Sequence, residues 1–586
     1  MSRSVFRTRR VVGLLLTLLA FGPSADGQGM GAGARARRPT PAVETDLSPI
    51  DADFRDLAAE AGLVGRTLSG NEDRKSYIIE ATGNGVAIFD FDNDGRMDVF
   101  LPTGATLDGK QTASNRLYRN LGGLRFEDVT ERAGLRRSGW GQGACVGDVD
   151  NDGRRDLFVT YYGHSVLYRN QPDARFRDVT AEAGLFSELV RWDTGCSFFD
   201  YDRDGDLDLV VSDYLEFDRD KVPEPGSGGY CLWKGLSVMC GPRGLPFARN
   251  HLFRNDGKGR FEDVSATSRI GKPSRCYGFS VVASDFDDDG YPDLYVACDS
   301  TPSLLYHNNK DETFDEIGLL TGAALNEDGQ EQGGMGVAVA DYDEDGHLDI
   351  AKTNFSDDVP NLYHNSGDGS FEDRVFRSGL GGTMEHVGWG IQLFDVDHDG
   401  RRELLMINGH VYPEVDKTLE TRYRQPRLLY WNIGQGRFKD VSQVSGPGIS
   451  DTSWSSRGAA VGDLDNDGSL EIVISNMGSR PSLLKNFGPR KNWLLAQCQG
   501  VSDNRDAVGA RVSLFVGGRR VSAEVQTGTS YLSQNDSRLH FGLGDARTYD
   551  RIEVRWPGGG VETFAGGPAN RIVLLRQGAG APSPRR

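Results

Sequence analysis

Seven times along this chain an aspartate is followed, at two-residue steps, by two more aspartates, then by a glycine and, three residues on, by a fourth acid. The sets are Asp90, Asp92, Asp94 and Asp98; Asp148, Asp150, Asp152 and Asp156; Asp200, Asp202, Asp204 and Asp208; Asp285, Asp287, Asp289 and Asp293; Asp341, Asp343, Asp345 and Asp349; Asp395, Asp397, Asp399 and Glu403; and Asp463, Asp465, Asp467 and Glu471. A hard cation such as calcium takes about six to eight oxygens, and a short loop can wrap one by turning alternate side chains inward. The glycine at position six permits the sharp turn that brings position nine back to the ion. A carbonyl from position seven and water complete the shell. Asp and Gly also favour turns with no ion at all, and a single copy would not separate the two readings. Seven copies, each with an acid at position nine, favour up to seven calcium sites.

The first six positions also fit an EF-hand, but that loop needs a bidentate Glu at position twelve. Here position twelve is Leu101 in the first loop and Val159 in the second. The flanks, such as Gly85–Phe89 before the first loop and Asp98–Leu101 after it, show no helical period and read as buried strands. The loops therefore sit at the tips of β-hairpins.

A second pattern alternates with the first: Leu117-Tyr-Arg-Asn120 with Phe126-Glu-Asp-Val-Thr130, and Leu167-Tyr-Arg-Asn170 with Phe176-Arg-Asp-Val-Thr180. Further copies run Leu252–Asn255 with Phe261, Leu305–Asn308 with Phe314, Leu362–Asn365 with Phe371, and Leu429–Asn432 with Phe438. Two hairpins per repeat make four strands, the unit of a propeller blade. The seventh repeat has Leu483–Asn486 but no Phe strand after it, whereas Phe54-Arg-Asp-Leu57 near the start has no hairpin of its own. An N-terminal strand completing the last blade removes the edge a linear array would leave open. The expected fold is all-β: a seven-bladed β-propeller over 51–488 with a small C-terminal β domain over 489–577, where Ala510–Val516 and Ile552–Trp556 alternate.

The net charge of −19 argues against a nucleic-acid partner. Arg3, Arg7, Arg9 and Arg10 precede the apolar run Val11–Phe21 and then Gly22-Pro23-Ser24-Ala25, the order of a secretory signal over 1–25. A flexible linker over 26–50 and a short tail over 578–586 are expected around the folded part. No later run is long enough to span a bilayer, so the mature chain is expected in the cell envelope or outside the cell, as a monomer. Of the seven cysteines, Cys231 and Cys240 are expected to staple a Gly- and Pro-rich loop. Cys145, Cys196, Cys276 and Cys298 fit small buried residues in strands at least as well as disulfide partners, and Cys498 has no local partner.

The hairpins resemble the FG-GAP calcium repeats of integrin α-subunit propellers. Asn492-Trp-Leu494, Ala507–Val512, Ser530-Tyr-Leu-Ser-Gln-Asn535, Phe541–Gly544 and Ile552–Gly558 together resemble the ASPIC/UnbV domain. The combination is similar to the cartilage acidic protein family. That resemblance implies an extracellular or envelope calcium-binding protein with an interaction role, supplies no reaction, and places the calcium ligands on positions one, three, five and nine. Glu403 and Glu471 depart from the Asp of the other loops.

On the face opposite the calcium loops two connections are enlarged, roughly Asp213–Asn250 and Asn408–Gln425. Enlarged loops on a rigid scaffold commonly carry function. They hold Trp233, Arg243, His410 and Tyr412, and His386 enters from the same side, so these five are the candidate contacts for a protein or glycan partner. The alternative is a propeller enzyme with an acid–base or metal site around His386 and His410. No Gly-x-Ser-x-Gly, His-Glu-x-x-His or phosphate-cradling motif supports catalysis. His398, inside a calcium loop at a non-ligand position, is expected to be solvated.

Overall fold

A computed structural model describes residues 50–582 apart from 273, 274 and 419. The export signal, nearly all of the linker and the last residues of the tail lie outside the described residues. Within them the chain is all-β and propeller-like, with helices of only three to five residues. Seven antiparallel units of four strands follow one another. The first is Ala87–Phe89, Asp98–Leu101, Arg116–Asn120 and Phe126–Asp128. In all seven units the acid at position nine is the first residue of the second strand. The loop and the hairpin are thus one device.

Phe54–Asp56 lies antiparallel to Ser482–Asn486, with Phe54 opposite Asn486, and so supplies the fourth strand of the last unit. The first strand of each unit packs on that of the next, and Ser456–Gly462 packs back on Ala87–Phe89. The order of packing is therefore cyclic. Buried apolar clusters fill the spaces between neighbouring units, as between Ile88 or Val99 of the first and Val473 or Leu483 of the seventh.

Three disulfides are present. Cys231–Cys240 closes the enlarged loop of the third unit. Cys145–Cys196 ties the first strands of units two and three, and Cys276 pairs with Cys298 in unit four. The sequence left the pairing of these last four open between small buried residues and bridges, and the bridges form because packing brings their side chains face to face. Cys498 is free and buried, and burial pushes its thiol up to about 12.

The C-terminal strands form a three-stranded sheet, in which Asn492–Gln499 runs parallel to Arg571–Arg576, and a five-stranded sheet around Arg511–Val516 and Thr548–Arg555. They are more than an appendage. Leu514, Val554 and Trp556 share one continuous apolar cluster with Cys145, Phe158 and Leu209 of the ring. The segment from Thr527 to Asp536 enters the middle of the ring and bonds to every unit. Gln534 exchanges backbone bonds with Val86 and Ile88 of the first unit (2.8 and 3.0 Å), and its side chain accepts from Val146 of the second at 2.7 Å. Thr527 accepts from Ser197 of the third at 2.6 Å, and Leu532 donates to Ser280 of the fourth at 3.4 Å. Ser530 pairs with Val337 of the fifth (2.6 and 2.9 Å) and its hydroxyl accepts from Ile391 of the sixth at 3.1 Å. Asn535 accepts from Val461 of the seventh at 2.9 Å. The approach is close: a Cβ on Gly85 would stand 1.8 Å from the Leu532 carbonyl. The plug thus satisfies inward-facing donors and acceptors that would otherwise need water.

Deleting residues 51–63 should unpair the edge of the seventh unit. Size-exclusion chromatography is expected to show association, and the thermal midpoint should fall. A monomer with an unchanged midpoint would contradict the closure.

Candidate metal loops and the opposite face

All seven acidic loops share one backbone path. The glycine at position six has φ between +82° and +100°, and the residue at position four, from Asn93 to Asn466, has φ between +56° and +65°. Both values lie in the left-handed region, which glycine enters freely and asparagine tolerates. Folded this way, the position-six N–H donates to the position-one carboxylate at 2.7–3.1 Å in every loop. The position-two N–H donates to the acid at position nine at 2.8–3.4 Å. These bonds aim the remaining carboxylate oxygens at one point. Asp90, Asp92 and Asp98 offer oxygens within 4.8 Å of one another, as do Asp148, Asp150 and Asp156, and Asp200, Asp202 and Asp208.

The donor set fits a hard cation. Buried oxygens on Asp92, Asp150, Asp285, Asp341, Asp343 and Asp465 accept no hydrogen bond among the described residues. An unsatisfied buried carboxylate oxygen is costly, and a bound cation would satisfy it. Positions one, three and nine of the first three ligand sets assigned from sequence are thus brought together in space. His398 is not solvated as expected: it is buried, its ring lies 4.8 Å from that of His540, and its Nδ1 is 3.1 Å from the Lys491 carbonyl. The C-terminal strands cover it. They also lay arginines over the acidic face, with Arg555 on Asp285 at 2.5 Å, Arg511 on Asp288 at 3.2 Å and Arg538 on the Asp463 carbonyl at 2.7 Å.

On the opposite face the two enlarged loops meet across the ring. Trp233 packs edge-on against His410 at 5.1 Å and lies 6.4 Å from Tyr412, and all three are buried. Lys234 joins Asp357 and Glu420 at 2.7 Å each. Trp233, His410 and Tyr412 therefore act as a lid core rather than as exposed contacts: the loops are long because they span the ring. Burial pushes His410 down to about 3, so it stays neutral and cannot trade protons near neutral pH. His386 is half-buried, donates its N–H to Thr383, and has no bond or ring contact to His410 among the described residues. Arg243 stands apart from these. It is half-exposed, donates to the Ser300 carbonyl and pairs with Glu331, both at 3.2 Å. It lines a cleft of about 920 Å³ with Phe247, Arg269, Lys272, Arg275 and Tyr277. No local pattern marks this cleft, because its walls come from several separate connections.

Six of the seven loops, with their hairpins, and the plug fall within segments that match known families. The FG-GAP-like repeat model matches residues 90–159, 148–211, 242–296, 285–351 and 421–474, and the ASPIC and UnbV model matches 500–582. The chain combines FG-GAP-like repeats with an ASPIC and UnbV region. It is 24% identical to cartilage acidic protein 1 of Xenopus tropicalis over 511 residues, 83% of this chain and 73% of that protein. The human protein of the same name is also 24% identical, over 84% of this chain and 71% of its own length. Among solved structures, an Agrocybe aegerita protein recognising terminal N-acetylglucosamine overlaps at TM-score 0.34, with 16% identity over 68% of this chain and 94% of that one. A likeness of that size bears on neither fold nor ligand. The FG-GAP matches skip the sixth loop, with Glu403, yet its backbone repeats the other six.

Without an ion these FG-GAP loops are electrostatically strained. Burial, then neighbouring carboxylates, raises Asp148 and Asp200 to about 7 and Asp395 and Glu471 to about 8. Burial raises Asp349 to about 7. An unfolded carboxyl ionises near pH 4. Between that pH and about 7 to 8 the folded chain holds more protons than the unfolded one, so metal-free stability falls as pH rises. Lowering the pH from about 7.5 to 5.5 should raise the thermal midpoint of chelator-treated protein. The same change should leave calcium-treated protein level or lower it, because protons compete with the ion. Parallel profiles would contradict the assignment.

Proposed function

We propose that the chain is an exported, calcium-binding seven-bladed β-propeller over 51–488, pinned by its C-terminal domain over 489–577, and that it works as an adhesion or interaction module. The observation that carries this reading is the set of buried, unbonded carboxylate oxygens converging in loops of identical backbone path. Calcium would supply the missing positive charge, and seven ions would add fourteen charges to the net −19. Three disulfides and similarity to cartilage acidic protein 1 support an extracellular or envelope setting. Among the described residues no helix is long and apolar enough to cross a membrane.

A partner would meet the face away from the calcium loops, because the C-terminal strands cover the calcium face. The ring is filled by the plug from one side and by Trp233, His410 and Tyr412 from the other, which leaves the rim. There the cleft beside Arg243 gathers Arg243, Arg269, Lys272 and Arg275 on an acidic protein; Glu331 and Asp315 pair with the first two, and Lys272 and Arg275 would meet an acidic partner, protein or glycan. Calcium would act at a distance by holding the blades rigid. The buried, neutral His410 removes the support for an enzyme around His386 and His410.

Thermal melts with excess calcium and with chelator test the metal. At free calcium about 100-fold above Kd each loop contributes about 2.7 kcal/mol, so several loops should separate the two midpoints by on the order of 10 °C. Equal midpoints would sink the calcium reading. With a partner in hand, Arg243→Ala should weaken binding several-fold while leaving the calcium-dependent shift intact. Unchanged affinity would move the contact off this cleft.

A further inference from the structure

The seven loops differ in what the facing strand sets over them. Unit by unit, the residue before the last Asn of the third strand is Arg119, Arg169, Arg254, His307, His364, Trp431 and Lys485. Arg119 reaches only positions three and five, at 2.6 Å from Asp92 and 3.1 Å from Asp94. Arg169 lies 3.4 Å from Asp150, and Arg254 pairs instead with Glu262 and Glu312 at 3.2 and 3.3 Å. His307 Nδ1 lies 3.4 Å from Asp287 and 3.2 Å from Asp293, and His364 lies 3.1 Å from Asp343, 3.5 Å from Asp349 and a looser 3.8 Å from Asp345. Trp431 brings no charge.

Lys485 differs from all of these. Its Nζ donates to Asp465 at 2.6 Å, to Asp467 at 3.0 Å and to Glu471 at 3.0 Å. One compact cation thus holds positions three, five and nine together. The effect on position nine is specific. In the other six loops an oxygen of that acid accepts the N–H of the following strand's Asn, at 2.7–2.8 Å for Asn120, Asn170, Asn255, Asn308 and Asn365 and 3.4 Å for Asn432. In the seventh, the oxygen of Glu471 that would take this bond takes Lys485. The longer Glu side chain carries that oxygen out to the ammonium. Arg490 adds a second charge, 2.6 Å from Asp467.

We propose that the Lys485 ammonium takes the place of an ion in the seventh loop, so that calcium fills at most the other six. This rests on the calcium reading of those loops. An ammonium is a compact charge with three donors, and three carboxylates saturate it. An ion at the same centre would face a like charge at bonding distance, and one oxygen each of Asp465, Asp467 and Glu471 is already given to the ammonium. The seventh unit is also the one completed by Phe54–Asp56. With its own cation it can close the ring before any calcium binds.

Native mass spectrometry of the mature protein in calcium alone counts the ions. Lys485→Met should bind one calcium more than the unmutated protein. Should that variant not fold, the comparison moves to the acids. Asp150→Asn should cost one ion, whereas Asp465→Asn should cost none. Seven ions on the unmutated protein, an unchanged count in Lys485→Met, or loss of one ion in Asp465→Asn would overturn the assignment of Lys485. Absence of calcium from every form would instead overturn the calcium reading itself.

Discussion

The structure depends on how it handles carboxylates that its own strands force together. Each position-nine acid begins a buried strand, so the loop cannot turn that charge away to solvent. Backbone N–H groups from positions two and six satisfy some oxygens, and arginines, histidines and lysines approach others. What remains is a set of buried oxygens facing one another. Like charges at such distances repel strongly in a partly buried setting, and a divalent cation relieves that repulsion most directly. A cation bound there would be thermodynamically linked to the fold.

The C-terminal strands answer the same constraint from outside. Arg511, Arg538 and Arg555 bring positive charge to the acidic face, while the Thr527–Asp536 segment bonds to the first strand of every unit or the residues just before it. An ion that stiffens the loops also stiffens the surface on which this region sits. The opposite face is built from apolar contact instead: Trp389 and Tyr531 lie 4.8 Å apart at the tip of the plug, beneath the lid formed by Trp233, His410 and Tyr412. With both ends filled, the rim, where the strands hold loop residues such as Arg243, is the surface on which the proposed recognition would fall.

Much of this was legible in the residues. The position-nine acid and the glycine at six are local requirements of one turn, so they recur at fixed spacing. The missing Phe strand of the seventh repeat and the stray one at Phe54 pointed to each other for the same reason. The plug was not legible as a plug. Ser530–Asn535 stood out only by resemblance, although Gly85, Gly143, Gly336 and Gly458 at the first strands hinted at a backbone passing close by. The lid was misread because Trp, Tyr and His in a long loop look alike whether they face a partner or the loop across the ring. Cys145 and Cys196 lie 51 residues apart, and only the packing of two neighbouring strands brings them together.

The most direct measurement is a crystal structure of the mature protein grown in calcium, with anomalous scattering collected to locate the ions. The account predicts peaks about 2.3–2.6 Å from the oxygens of positions one, three, five and nine, beneath Arg119, Arg169, Arg254, His307, His364 and Trp431. Ordered loops with no peak at any of these sites would contradict it.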